Sequence, residues 1–420
     1  MLTSIVAKSQ TFDKNILSKL NEYAIPYLQS DSSDVVFYRN ISKDRKVIAI
    51  GEATHGTHEF YAAKDKIIRN LVQYHNVKTI AFETDFCGLE ALNDFVLNKY
   101  PDSANGEAKF IGLYGLYGIY RTAEVYDMVK WLQAFNSTKS PEEKVTFNGI
   151  DMQDPYYISS SLLNDSKHIS LSSANIEILT KIKNSYWAAK ELKIKKSDEI
   201  IYQQLIEDLN VVAKNLKDNV ANNVFKRHIR LLEQTFSLRG VNFSTYRERR
   251  DQYLAENALW LLNNNKVKNA KMVIWAHNGH ITYSNNQNPK RFGYYLKEKL
   301  GQSYFALALT FDEGSVRIFD VKGKERGYKE YQYESTLKKN AIEYLFKNCR
   351  DSSFFVDFKD LNSDELMKKK IKEHKYMRVI GAEFLPDDKS IFFQVPILDS
   401  FDGILFFKKT SAAKQLKNKT

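Results

Sequence analysis

Cysteine is nearly missing: Cys87 and Cys349 are the only two in 420 residues, and no CxxC pair occurs. Two thiols cannot build a disulfide framework, which points to a reducing, cytoplasmic setting. Long apolar runs are missing too. None approaches the ~20 residues that span a bilayer, so no membrane anchor is expected. The start, Met1 to Lys8, lacks a basic head followed by an apolar core, and reads as no signal peptide. There is no GxSxG nucleophile elbow, no P-loop and no GxGxxG after a strand. His58-Glu59 does not open an HExxH zinc motif, because position 62 is Ala62. Internal repeats and low-complexity linkers are also lacking.

The charge is lopsided, at +11, but it is not clustered. Lysines are scattered over helix faces (Lys190, Lys193, Lys195, Lys196; Lys368, Lys369, Lys370, Lys372) and interleaved with acids. Nucleic-acid binders carry a basic patch, so this pattern reads as a solvated surface with no nucleic-acid partner.

What the chain does have is a set of short hydrophobic runs, each ending in a histidine or a carboxylate. Lys46–Ile50 runs into Gly51-Glu52-Ala53-Thr54-His55, and Phe60, Ala63, Ile67 and Leu71 then follow at helical spacing. Val77–Phe82 precedes Glu83, Val145–Ile150 precedes Asp151, and Met272–Ala276 precedes His277 and His280. Strands of an open α/β sheet deliver their C-terminal residues to one crevice. The pattern predicts an enzyme of α/β class, with a mixed, largely parallel central sheet flanked by helices. At 43% hydrophobic the chain can bury a large core. Residues 1–154 and 266–420 read as two parts of the α/β core. Residues 155–265 show no strand pattern and read as a helical insertion or cap. Short strands are expected at Tyr304–Phe311, Val316–Val321, Phe354–Phe358, Ile391–Val395 and Ile404–Phe407, and helices at Lys14–Gln29 and Phe292–Leu300.

Glu52 and His55 are the sharpest pair. A carboxylate three residues from an imidazole can fix its tautomer and stabilise the imidazolium formed when the ring takes a proton. The competing reading is a helix start, with Glu52 capping amides and His55 merely packed. His277 and His280 flank Gly279 in a loop and could polarise a carbonyl, shuttle a proton or hold a metal together with Glu52, His55 and Glu83. Glu83 reads as an orienting acid or second base, and Asp151 as either architecture or chemistry. Gly112-Leu113-Tyr114-Gly115-Leu116-Tyr117-Gly118-Ile119-Tyr120-Arg121 reads as a mobile, sticky loop beside the cleft. Cys87 reads as a small buried hydrophobe.

These residues resemble the erythromycin esterase family. Its hallmarks are a G-E-x-x-H turn, a strand ending in glutamate, a G-I-D segment, an R/K-D segment opening a helix, and an A-H-N-x-H-I strand end. Here they stand as Gly51–His55, Ala81-Phe82-Glu83, Gly149-Ile150-Asp151, Arg250-Asp251 and Ala276–Ile281, with Phe401–Ile404 resembling the last strand. The resemblance implies an antibiotic-resistance hydrolase that opens the ring of fourteen-membered macrolides with neither a serine nucleophile nor an essential metal or other cofactor. It casts His55 as general base, Glu52 and Glu83 as its orienting acids, and His277 and His280 as aids to binding, oxyanion stabilisation or proton delivery. Lys64, Asp151, Tyr114, Tyr117, Arg121, Arg250 and Asp251 are the residues expected to bind the small-molecule substrate. The family's arginine on the first helix is replaced by Lys64, which keeps the charge and loses the planar fork. The rivals are a metal-dependent hydrolase of another ester or amide, and a non-catalytic module that sequesters a hydrophobic natural product. Oligomeric state leaves no trace in the sequence.

Overall fold

The computed structural model describes residues 14–27, 34–100, 106–113, 115–189, 196–321, 326–381 and 391–416. Its strands are β1 (Ala24–Pro26), β2 (Val47–Ile50), β3 (Val77–Asp85), β4 (Thr146–Asp151), β5 (Lys271–Trp275), β6 (Tyr304–Asp320), β7 (Gly327–Tyr333), β8 (Ser353–Asp357), β9 (Tyr376–Arg378), β10 (Phe392–Gln394) and β11 (Gly403–Thr410). The main sheet runs β1-β8-β11-β6-β2-β5-β3-β4, with β7 hairpinned onto β6, and β9 pairs with β10 apart from it. From β11 to β4 every neighbour is parallel; β1, β8 and β7 join antiparallel. The sheet is therefore mixed and largely parallel. β5 lies between β2 and β3, far ahead of its turn in the sequence.

The central strands are apolar throughout because helices cover both faces. Side chains alternate between two hydrophobic layers. Val47, Ala49, Met272 and Ile274 face one, and Ile48, Ile50, Val273 and Trp275 the other. The Pro155–Asp165, Ser173–Ala189, Lys196–Asn215, Val220–Ser237 and Phe243–Asn263 helices fill the stretch between β4 and β5. Their buried Leu179, Leu205 and Leu232 join the same hydrophobic layer as Met272 and Ala306. This helical stretch thus shares the sheet's core. No described helix is long and apolar enough to cross a membrane.

Several local expectations are corrected. The Lys14–Gln29 helix stops at Tyr23, and Ala24–Pro26 pairs with β8 instead. Pro26, which lacks an N–H, fits such an edge strand. Tyr304–Phe311 and Val316–Val321 are one strand, β6, continuous through Gly314 at φ 134°. Arg250-Asp251 lies inside the Phe243–Asn263 helix, whose start is capped by the Asn242 side chain on Thr245 N. The His277–His280 loop is a turn of helix, Asn278–Ile281, capped by His277 itself. In the Gly112–Arg121 stretch, Gly112 lies in the Glu107–Leu113 helix and Gly118–Tyr120 forms a 3-10 turn. Tyr114 lies outside the described residues.

Candidate active site

β2, β5, β3 and β4 are consecutive in the sheet, so their C-terminal ends bring Glu52 and His55, His277 and His280, Glu83, and Asp151 to one edge. The turn after β2 needs its glycines. A Cβ on Gly51 would lie 2.0 Å from Asn278 Oδ1, and Gly56 takes φ +73° to enter the His58–Tyr74 helix. Asn278 ties three strand ends together. Its N–H donates to Glu52 O at 2.9 Å, and its side chain pairs with Leu309 on β6. β3 shifts register against β4 between Phe82 and Asp85, the segment that holds Glu83.

Glu52 is fully buried and uses both oxygens. Oε1 accepts from His55 Nδ1 at 2.6 Å, while Oε2 accepts from Lys64 Nζ at 2.7 Å and Trp275 Nε1 at 3.1 Å. Burial would raise the Glu52 pKa, but Lys64 and His55 outweigh it and the net shift is downward. Lys64 is sealed beneath the site, 4.6 Å from the centre of the Trp275 ring, and burial pulls it down to about 8. A carboxylate on Nδ1 means that this nitrogen carries the proton and Nε2 keeps its lone pair. His55 Nε2 has no hydrogen bond from the described residues, and the side chain keeps 7% of its surface exposed.

A second chain of alternating charges runs beside this pair. Asp151 takes Arg250 Nη2 at 2.6 Å and Nε at 3.1 Å, and Tyr117 Oη at 3.1 Å. Arg250 Nη2 also reaches Glu83 Oε1 at 3.1 Å. Glu83 Oε1 lies 3.1 Å from His280 Nε2, and Oε2 accepts the His277 backbone N–H at 3.0 Å. His280 Nδ1 meets Asp251, which lies 3.0 Å from Arg291 Nη1. Burial opposes charge on His280 and Glu83 alike. Asp251 and Glu83 nevertheless raise His280, and His280 and Arg250 hold Glu83 well below the usual carboxylate range.

His277 is different. Nδ1 accepts from Gly279 N at 3.1 Å, and Nε2 faces the Ile380 carbonyl at 2.9 Å. Both nitrogens are committed, and burial with the nearby His55 pushes the ring down to about 3. It is a neutral cap whose ring centre stands 5.1 Å from that of His55.

The remaining candidates sort by position. Asp151, Asp251 and Lys64 are fully buried, each against the charged side chains already named. Arg121 stands apart, its Nε on the Leu116 carbonyl at 2.9 Å. His58 is on the surface with Glu124 at 2.7 Å. A cleft of about 1140 Å³ opens beside the cluster and touches it at His277, Gly279 and Arg291, with Ile371, Phe393 and Ile397 among its apolar walls. His55, Glu83 and His280 are not on its lining. Trp275, Asn278 and Arg291 are functional neighbours that sequence reasoning passed over. Trp275 closes β5 beside a site residue, which was the available signal. Arg291 gave none.

The erythromycin esterase family model matches residues 72–410. Among curated relatives, the erythromycin esterase type II of Escherichia coli is 22% identical, over 96% of this chain and 97% of that protein. A succinoglycan biosynthesis protein superposes with a TM-score of 0.75 at 20% identity, covering 97% of this chain and 100% of that one. A histidine mutant of the erythromycin esterase EreC, in its open conformation, superposes at 0.67 with 18% identity, over 93% and 97% of the two chains. Since one family model spans most of the chain, and the same strand ends that carry its motifs converge here, the protein belongs to the erythromycin esterase family.

Proposed function

We propose that this protein is a carboxylic ester hydrolase that opens the macrolactone of an erythromycin-like macrolide by attack of water. The observation that carries the reading is the Lys64–Glu52–His55 relay, in which the 2.6 Å bond to Glu52 leaves His55 Nε2 as the acceptor for a water proton. Taking that proton makes an imidazolium, which the buried Glu52 carboxylate stabilises. Glu52 cannot swing away, because Lys64 and Trp275 hold its other oxygen. Hydroxide then adds to the ester carbonyl, and negative charge develops on its oxygen. His280 is engaged by Asp251 and Glu83, so the donor left for that oxygen is Arg250 Nη1, which makes a long contact of 3.4 Å to His280 Nε2. As that charge collapses, the ring C–O bond breaks and the His55 imidazolium returns its proton to the departing alkoxide. His277, neutral and saturated, shapes the wall and moves no proton. The apolar side of the adjoining cleft suits a bulky hydrophobic ligand. Two buried free thiols, Cys87 and Cys349, fit a reducing cytoplasm as the place of action.

The test is product mass spectrometry on fourteen-, fifteen- and sixteen-membered macrolides. The expected product is heavier by one water, and His55→Asn lowers turnover by about 10²–10⁴-fold. A panel bound but returned intact would mean sequestration without turnover.

A further inference from the structure

Just past β3 the chain buries a thiol, a carboxylate and an imidazole together, away from the hydrolytic residues. Cys87 begins the 3-10 turn Cys87–Leu89, Glu90 opens the next helix, and His228 comes from the middle of the Val220–Ser237 helix. Cys87 Sγ, a Glu90 oxygen and a His228 ring nitrogen all lie within 4.8 Å of one another. Cys87 and His228 are buried, while 39% of the Glu90 side chain remains exposed and gives access from solvent.

The groups behind these three are oriented as a metal site needs. His228 Nδ1 is held by Asp165 Oδ2 at 2.7 Å, which turns Nε2 toward Glu90 Oε1 at 2.6 Å. A carboxylate on the far nitrogen is how metal-bound imidazoles are fixed in tautomer and direction. Glu90 Oε2 accepts from Ser161 Oγ at 2.5 Å, so this carboxylate is fixed as well. A thiolate, an imidazole and a carboxylate are the donors of a zinc-type ion, which takes three protein ligands and keeps a fourth position for water.

We propose that Cys87 Sγ, a Glu90 carboxylate oxygen and His228 Nε2 bind a zinc-type divalent cation. The ion would staple the turn after β3 to the helical stretch between β4 and β5. On binding, the Cys87 thiol proton and the His228 Nε2 proton leave to solvent, and the Nδ1 proton stays on the Asp165 bond. One dication replaces two protons, so the charge of the buried cluster does not change. Without the ion the cluster is self-consistent: burial disfavours the imidazolium, but Glu90 and Asp165 outweigh it and raise His228 to about 10.

The experiment is a cobalt(II) titration of the chelator-treated full-length protein, followed by displacement with zinc(II). The described hydrolytic cluster holds no thiol, so a thiolate-to-cobalt charge-transfer band reports on Cys87 or Cys349 alone. The expected result is a saturable one-to-one band that zinc removes, that Cys349→Ser keeps and that Cys87→Ser abolishes. Zinc should also raise Tm by several degrees in the wild type and not in Cys87→Ser. Cobalt binding without the band, a band lost in Cys349→Ser and kept in Cys87→Ser, or no binding at all would overturn the proposal. If Cys87→Ser does not fold, Glu90→Gln decides: at least tenfold weaker cobalt binding supports the site, and unchanged affinity removes Glu90 from it.

Discussion

At the scale of single residues, Lys64 gathers the most consequence. Its ammonium is fully buried, and its carboxylate partner Glu52 is buried with it at 2.7 Å. Removing one member of such a pair leaves an uncompensated charge out of water. Lys64→Met should therefore lower stability by about 3–5 kcal/mol, read from the urea midpoint. A variant as stable as the wild type would show that Glu52 is charge-balanced without it. The side chain is not on the cleft lining, and its charge meets that of Glu52. None of this follows from the position of Lys64 on an amphipathic helix, which only promised a helical neighbour of the G-E-x-x-H turn.

At the scale of elements, the short helix after β5 depends on an imidazole that must stay neutral. His277 caps Asn278–Ile281 through Nδ1, and its folded pKa of about 3 lies below the usual value near 6.5. Between those values the unfolded chain binds more protons than the folded one, so stability rises with pH across that window. This contribution is complete above about 6.5 and is lost as pH falls toward 3. His277→Ala should flatten the stability profile between those limits in urea titrations at successive pH values; an unchanged slope would mean that His277 titrates normally. Two histidines around a glycine read as a loop in sequence, because a cap made by a ring nitrogen leaves no periodic signal. The four strands were legible from β-branched runs ending in polar residues, and so was the sheet edge to which they carry the candidate residues. The order β2-β5-β3-β4 was not, since sequence distance says nothing about which strand slots between two others. β9, three residues long, is too short to show a period, whereas β10 falls inside the expected Ile391–Val395 strand.

At the scale of the whole molecule, the candidate cluster is close to charge-balanced. Glu52 is matched by Lys64, Asp151 and Glu83 by Arg250 and His280, and Asp251 by Arg291. A dication would have to displace these partners. Turnover measured well below the unfolding temperature should therefore survive dialysis against a strong chelator. Loss of activity restored by one stoichiometric metal would point instead to a metal-activated water. The late arrival of β5 has a consequence for synthesis on the ribosome. By residue 151 the nascent chain has made β2, β3 and β4, yet the lane between β2 and β3 is filled only from residue 271. At about 5–20 residues per second the intervening 120 residues, 271 less 151, take roughly 6–24 seconds to translate. During that interval both edges of β2 and the inner edge of β3 have no partner, and Glu83 and Asp151 wait for Arg250 to be made. The helices translated in this gap therefore emerge against an unfinished sheet.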